Sequence, residues 1–235
     1  MVYFIEFNTI DFPEIILNKL LREKLFVNIL KHKINISYKS SLSEEQAERL
    51  NENGKLLGRA KKDFEALEYF SAAAEMCPKD GKYRYNMGIA LKNANRKDEA
   101  LRSFIDALEL GYEHCDCYCA IGVILKNKGE YELAESYFSK ALLQNPEYLT
   151  AIEERATAYF YSGQYEKALE DVNKLLLKHP DDSLLYLQRA LIYSNIGMTE
   201  KHKSDLEKAM DVQKKLEREF RKSKEQKPLS FETTH

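Results

Sequence analysis

The side chains best suited to chemistry stand in one run, His114-Cys115-Asp116-Cys117-Tyr118-Cys119. Sulfur, imidazole and carboxylate so close together invite a metal or redox reading. On a helix, Cys115 and Cys119 share a face while Cys117 points elsewhere. A structural zinc site gathers four ligands from two segments, with paired spacings such as CxxC or HxxxH. The sequence has neither pair. Cys115 lies near a helix amino-terminus, where a thiol gains reactivity. The simpler reading of the three cysteines is small apolar side chains within a helix, so no metal and no cofactor are expected.

Other catalytic patterns are missing as well. The chain has no Ser/His/Asp order, no glycine-rich phosphate loop and no HExxH. Glu153–Glu154 and Asp181–Asp182 are sequence neighbours that point apart, which makes poor acid–base pairs. His32, His179, His202 and His235 are isolated and read as surface residues. An enzyme is not expected.

The element that carries the run is one copy of a repeat. Gly122, Ala134, Phe138, Ala141 and Pro146 mark residues 115–148. The same offsets, 34 residues earlier, fall on Gly88, Ala100, Phe104, Ala107 and Tyr112, and before that on Gly54, Ala66, Phe70, Ala73 and Pro78. Forward, they fall on Ala156, Ala168, Val172, Leu175 and Pro180, then on Ala190, His202, Leu206, Ala209 and Lys214. Such a fixed period decides architecture. The units are 47–80, 81–114, 115–148, 149–182 and 183–216.

Each unit reads as helix A, turn, helix B. Position 15 is Asn95, Gly129, Gly163 and Gly197 in units two to five, residues that tolerate the left-handed backbone ending a helix. Pro at position 32 stops helix B in three units. Gly or Ala at position 8 and Ala at 20 let A and B cross closely, and the aromatic at 24 fills the space beside them.

This pattern resembles the tetratricopeptide repeat (TPR) family, at its own repeat length of 34 residues and over 170 of the 235 residues. The resemblance implies an all-α fold, a right-handed α-solenoid of helix-turn-helix units. It also implies a protein-binding function, with helix A lining a concave groove. Positions 2, 5, 6, 9, 12 and 13 of helix A would face that groove, and spacings of three and four do share a helical face. Its expected contact residues are Lys55, Lys82, Tyr85, Asn86, Ile89, Lys92, Asn93, Lys126, Asn127, Phe160, Tyr161, Leu184, Leu187 and Leu191. The groove is basic and amide-rich early, aromatic and acidic in the middle, and aliphatic late. Amides would hold a peptide backbone, Lys its carboxylates, and Phe160 or Tyr161 an apolar anchor.

One subgroup of the family grips the acidic carboxyl-terminus of heat-shock chaperones with five residues. At the matching positions this chain has Asn51, Lys55, Asn86, Asp116 and Ala120, of which only Asn86 fits. An Asp where that clamp needs Lys repels the carboxylate, so the role is excluded.

Two segments lie outside the repeat. Residues 1–46 hold an apolar helix of about 12–31, either a cap on the solenoid or a plug in its groove, and an alternating INISY at 34–38. Ser43 and Gln46 would form a capping box for the next helix. The last helix runs on past the repeats with a heptad-like series, Leu206, Ala209, Gln213, Leu216 and Phe220. Residues 217–235 comprise its end and a basic, disordered tail; from Lys214 to Lys227 seven Lys or Arg face three Glu.

Composition agrees with a globular binding module. The chain is 44% apolar and 31% charged with a net charge of −2, which gives no reason to expect nucleic acid. No run of apolar residues is long enough to enter a membrane. The first cation is Lys19, and the cysteines form no secretory framework, so a cytoplasmic setting is expected. The expected function is a scaffold or adaptor holding a peptide or helix of another protein. The alternatives are a self-associating structural subunit, for instance a homodimer, and a dedicated chaperone for a secreted or membrane protein.

Overall fold

The computed structural model describes residues 40–225, which form ten helices and no strand among the described residues. They are α1 (Ser40–Arg59), α2 (Asp63–Met76), α3 (Gly81–Asn93), α4 (Lys97–Glu109), α5 (Cys115–Asn127), α6 (Tyr131–Gln144), α7 (Leu149–Tyr161), α8 (Tyr165–Lys178), α9 (Ser183–Asn195) and α10 (Thr199–Glu225). The helix expected at 12–31, the INISY segment and the last ten residues of the tail lie outside the described residues. Helix α1 starts at Ser40, so Ser43 lies inside it rather than at its cap. The described helices divide into two compact units between Lys79 and Asp80.

In the first unit α1 packs on α2 around Ala47, Leu50, Ala66, Phe70 and Ala73. In the second, each helix from α3 to α10 packs on the next, and α5 also touches α7. This is an all-α solenoid of helix pairs.

The turns follow from local chemistry. Asn95, Gly129, Gly163 and Gly197 have φ of 61°, 84°, 77° and 75°. The following amide then reaches back to close the helix end: Arg96 N donates to Leu91 O at 2.8 Å, and Glu130 N to Leu125 O at 3.0 Å. Lys61 holds the same place in the first helix pair with φ 58°, and Lys62 N donates to Leu57 O at 2.9 Å. Helices α2, α6 and α8 stop ahead of Pro78, Pro146 and Pro180. Helix α4 ends differently: Gly111 takes φ 83° and Tyr112 N donates to Ala107 O at 2.9 Å.

The crossings of A and B are tight where glycine and phenylalanine meet. A Cβ added to Gly54, Gly88 or Gly122 would lie 2.6 Å from the ring of Phe70, Phe104 or Phe138 respectively. Ala134 and Ala141 are fully buried beside Phe138 in the sequence pattern expected of them. In the fourth pair Ala156 and Val172 occupy those positions within a cluster that includes Ile152, Tyr159, Leu175, Leu185 and Ile192. His202 is not the isolated surface residue expected: it is half-buried, and its Nδ1 donates to the Ala190 carbonyl at 2.9 Å. Burial along α10 ends at Ala209; Gln213, Leu216 and Phe220 beyond it are exposed.

Candidate functional site

The expected contact residues of the second unit sit on α3, α5, α7 and α9, the A helices. Asp80, His114 and Asp182 start three of these by accepting a hydrogen bond from the backbone N–H two residues on. On α3, Tyr85 is half-buried, with its ring 5.7 Å from Phe104 and 5.1 Å from Tyr112. Asn86 is buried, Ile89 and Lys92 are half-buried, and Asn93 is exposed. The Lys82 ammonium lies 3.8 Å from Asp80 and 4.8 Å from the ring centre of Tyr83.

On α5, Lys126 reaches across to α7 and donates to Glu154, while Asn127 is exposed. On α7, Phe160 meets Tyr161 and Tyr165 edge-on at 5.4 and 5.8 Å. Tyr161 stacks on Tyr131 at 5.5 Å yet stays 61% exposed. Leu184, Leu187 and Leu191 share one face of α9 and are 70%, 43% and 51% exposed. Gln188, between them, donates to Thr157 of α7 at 3.4 Å. Lys55 belongs to the first unit, where it pairs with Glu52 at 2.8 Å.

Three of these four lysines therefore already face carboxylates. Lys126 spends its charge on Glu154, and Lys82 stands beside Asp80. The face is less basic than the sequence suggested, and the Lys126–Glu154 pair forms only because two helices stack.

The cysteine run does not make a thiol centre. Cys117 and Cys119 are buried, and Cys117 Sγ donates to the Phe104 carbonyl at 3.5 Å. Burial, followed by the Asp116 charge, pushes the Cys117 thiol up to about 12. Burial pushes the Cys119 thiol up to about 11 against a hydrogen bond with Tyr148. His114, Cys115 and Asp116 bring three ligand atoms within 4.8 Å of one another. His114 Nδ1 also accepts the Asp116 N–H as the cap of α5, and among the described residues no further His, Cys, Asp or Glu joins the three. That is short of a tetrahedral set.

Several residues that shape this face escaped the sequence reading. Tyr112 and Tyr148 both feel Asp116: burial and then that carboxylate hold the Tyr148 hydroxyl well above its ordinary range and raise Tyr112. Burial and then the Asp116 charge do the same for Tyr85. The signal for Tyr112 was its place at a position that is Pro in three other units, after a glycine. Behind the face, Arg155 and Arg189 each grip a buried aspartate, Asp171 and Asp205. Their signal was an Arg–Asp pair repeated at the same offset one period apart.

No helix among the described residues is long and apolar enough to cross a membrane. Comparison with solved structures finds the same fold. A MamA structure from Desulfovibrio magneticus RS-1 is 24% identical with a TM-score of 0.66, covering 74% of this chain and 96% of that one. YrrB, described as a TPR protein with an unusual peptide-binding site, is 21% identical with a TM-score of 0.67 over 76% of this chain and 94% of its own. A second MamA structure is 18% identical with a TM-score of 0.68 over 79% and 98%. A search of curated proteins found no match. Tetratricopeptide repeat models match residues 85–149, 127–191 and 184–216. The fixed period, the helix pairs it builds and these matches agree: the chain belongs to the tetratricopeptide repeat family.

Proposed function

We propose that the protein is a non-enzymatic interaction module whose A-helix face holds a peptide or helix of a partner protein. One observation carries this reading. Leu184, Leu187, Leu191 and Tyr161 are 70%, 43%, 51% and 61% exposed on helices whose other faces are well packed. Apolar side chains clustered on an ordered surface need a reason, and a partner's apolar side chains supply it. YrrB, of the same fold, is described as having a peptide-binding site, which supports the class of ligand.

The test is selection from a random peptide library displayed on phage, with the full chain as bait. The wild type enriches peptides with apolar anchors, and Leu184→Asp with Leu191→Asp loses them at unchanged helicity. The reading fails if no peptide is enriched, or if the double variant binds as well as wild type.

A second reading has its own observation. Met210 and Leu216 on α10 are 53% and 45% exposed. Self-association through this stripe would cover them. Sedimentation equilibrium decides: a monomer at every concentration removes this reading and leaves the first intact.

A further inference from the structure

The charge on the A-helix face is not where a carboxylate-binding groove would have it. Lys126 is committed to Glu154, Lys82 lies beside Asp80, and Lys128 pairs with Asp98 at 2.7 Å. Asp116, by contrast, is surrounded by phenol rings. Tyr112 lies 5.1 Å from Tyr85 and stacks at 5.8 Å on His114, whose Nδ1 is 3.3 Å from an Asp116 carboxylate oxygen. Burial and then the same carboxylate hold the Tyr148 hydroxyl above its ordinary range. Phenols leave the charge of this carboxylate uncancelled, and a carboxylate has about four acceptor sites. Among the charged groups acting on the neighbouring Cys119, Asp116 and Glu154 are acids and Lys92 is the cation. Glu154 is already held by Lys126.

The fold makes this cluster. Because α4 ends on Gly111 in the left-handed region, the chain turns back without a proline, and Tyr112 is free to lie against Tyr85. Asp116 and Tyr148 arrive from the start of α5 and the residue before α7, which pack against each other. Electron-rich ring faces around one carboxylate attract a guanidinium or an ammonium, whose hydrocarbon stem the rings also cover.

We infer that Tyr85, Tyr112, Asp116 and Tyr148 form a subsite for a cationic side chain, an arginine or lysine of the bound peptide. This rests on the peptide-binding reading above and assigns the partner's chemistry at one place: a basic residue toward α3–α5, with apolar residues toward α9.

The same random peptide library tests it. Wild-type selections share an Arg or Lys at a fixed distance from their apolar residues. Replacing that Arg by citrulline, or Lys by norleucine, in a synthetic copy lowers affinity about tenfold by fluorescence anisotropy, within the range of a partly desolvated cation–π and ion-pair contact. Asp116→Asn and Tyr112→Leu each remove the difference between the two peptides while circular dichroism stays unchanged. Enriched peptides without a shared cation, or a preference that survives Asp116→Asn, overturn the subsite and leave the peptide-binding reading standing. Failure to enrich any peptide overturns both.

Discussion

Arg155 on α7 holds Asp171 on α8 through two parallel hydrogen bonds, Nε to Oδ2 at 2.8 Å and Nη2 to Oδ1 at 2.9 Å. Its remaining Nη1 donates to Ser139 of α6 at 3.1 Å. Arg189 repeats the arrangement one period later, with Asp205 at 2.7 and 2.8 Å and Asn173 at 2.6 Å. Each arginine thus ties its own B helix to the preceding one. Asp171 is 1% exposed, so removing it strands a half-buried guanidinium. Asp171→Ala is expected to cost about 3 kcal/mol in urea unfolding, whereas Arg155→Met with Asp171→Leu returns most of that stability. A single-variant loss below about 1 kcal/mol would mean that the pair is solvated in practice.

The four cysteines separate into two classes. Cys77 and Cys115 are half-buried, and Cys117 and Cys119 are buried. A thiol-reactive dye at neutral pH is expected to label two thiols quickly and the other two only with unfolding.

Stability is expected to fall at alkaline pH. In the unfolded chain a thiol loses its proton near about 8.5. Folded, burial holds Cys119 to about 11 and Cys117 to about 12. Between those values the unfolded state binds fewer protons, so stability is complete below about 8.5 and declines as pH rises toward the folded values. Tyr159, raised mainly by burial to about 12, extends the decline. Urea midpoints measured upward from pH about 8 show the slope, and Cys117→Ala with Cys119→Ala flattens its first part. An equal slope in that variant would assign the effect elsewhere.

Lys61 carries a side chain where three later units have glycine, at φ 58°. Lys61→Gly is expected to stabilise the first helix pair by about 0.5–1 kcal/mol, since the left-handed conformation is nearly free for glycine. The reverse change at the equivalent turn, Gly129→Ala at φ 84°, costs about 1 kcal/mol. Paired thermal melts read both, and equal melting points for Lys61→Gly and wild type would contradict the strain.

Gly122 offers a sharper packing test, because an added Cβ would sit 2.6 Å from Phe138. Gly122→Ala is expected to cost about 1–3 kcal/mol through overpacking, and Ala141→Leu a similar amount. Shrinking the ring with Phe138→Leu in the Gly122→Ala chain recovers part of the loss, a coupling that a double-mutant cycle measures. Strict additivity would show that the two positions do not meet.

The sequence by itself determined the helix pairs, their turns at Asn95, Gly129, Gly163 and Gly197, and the meeting of Gly122 with Phe138. These depend on backbone freedom and on contacts a few residues or one helix apart, which a fixed period displays directly. Lys61 shows the limit of that legibility, since a residue with no preference for the left-handed region adopts it when the packed pair on either side demands it. Only the tertiary structure decided the charge of the A-helix face. Lys126 finds Glu154, and Tyr112 and Tyr148 close on Asp116, because α5 stacks on its neighbours at one particular offset. A charged side chain in a sequence carries only its own sign. Which opposite charge cancels it, and which rings surround it, is set by helices that meet in space.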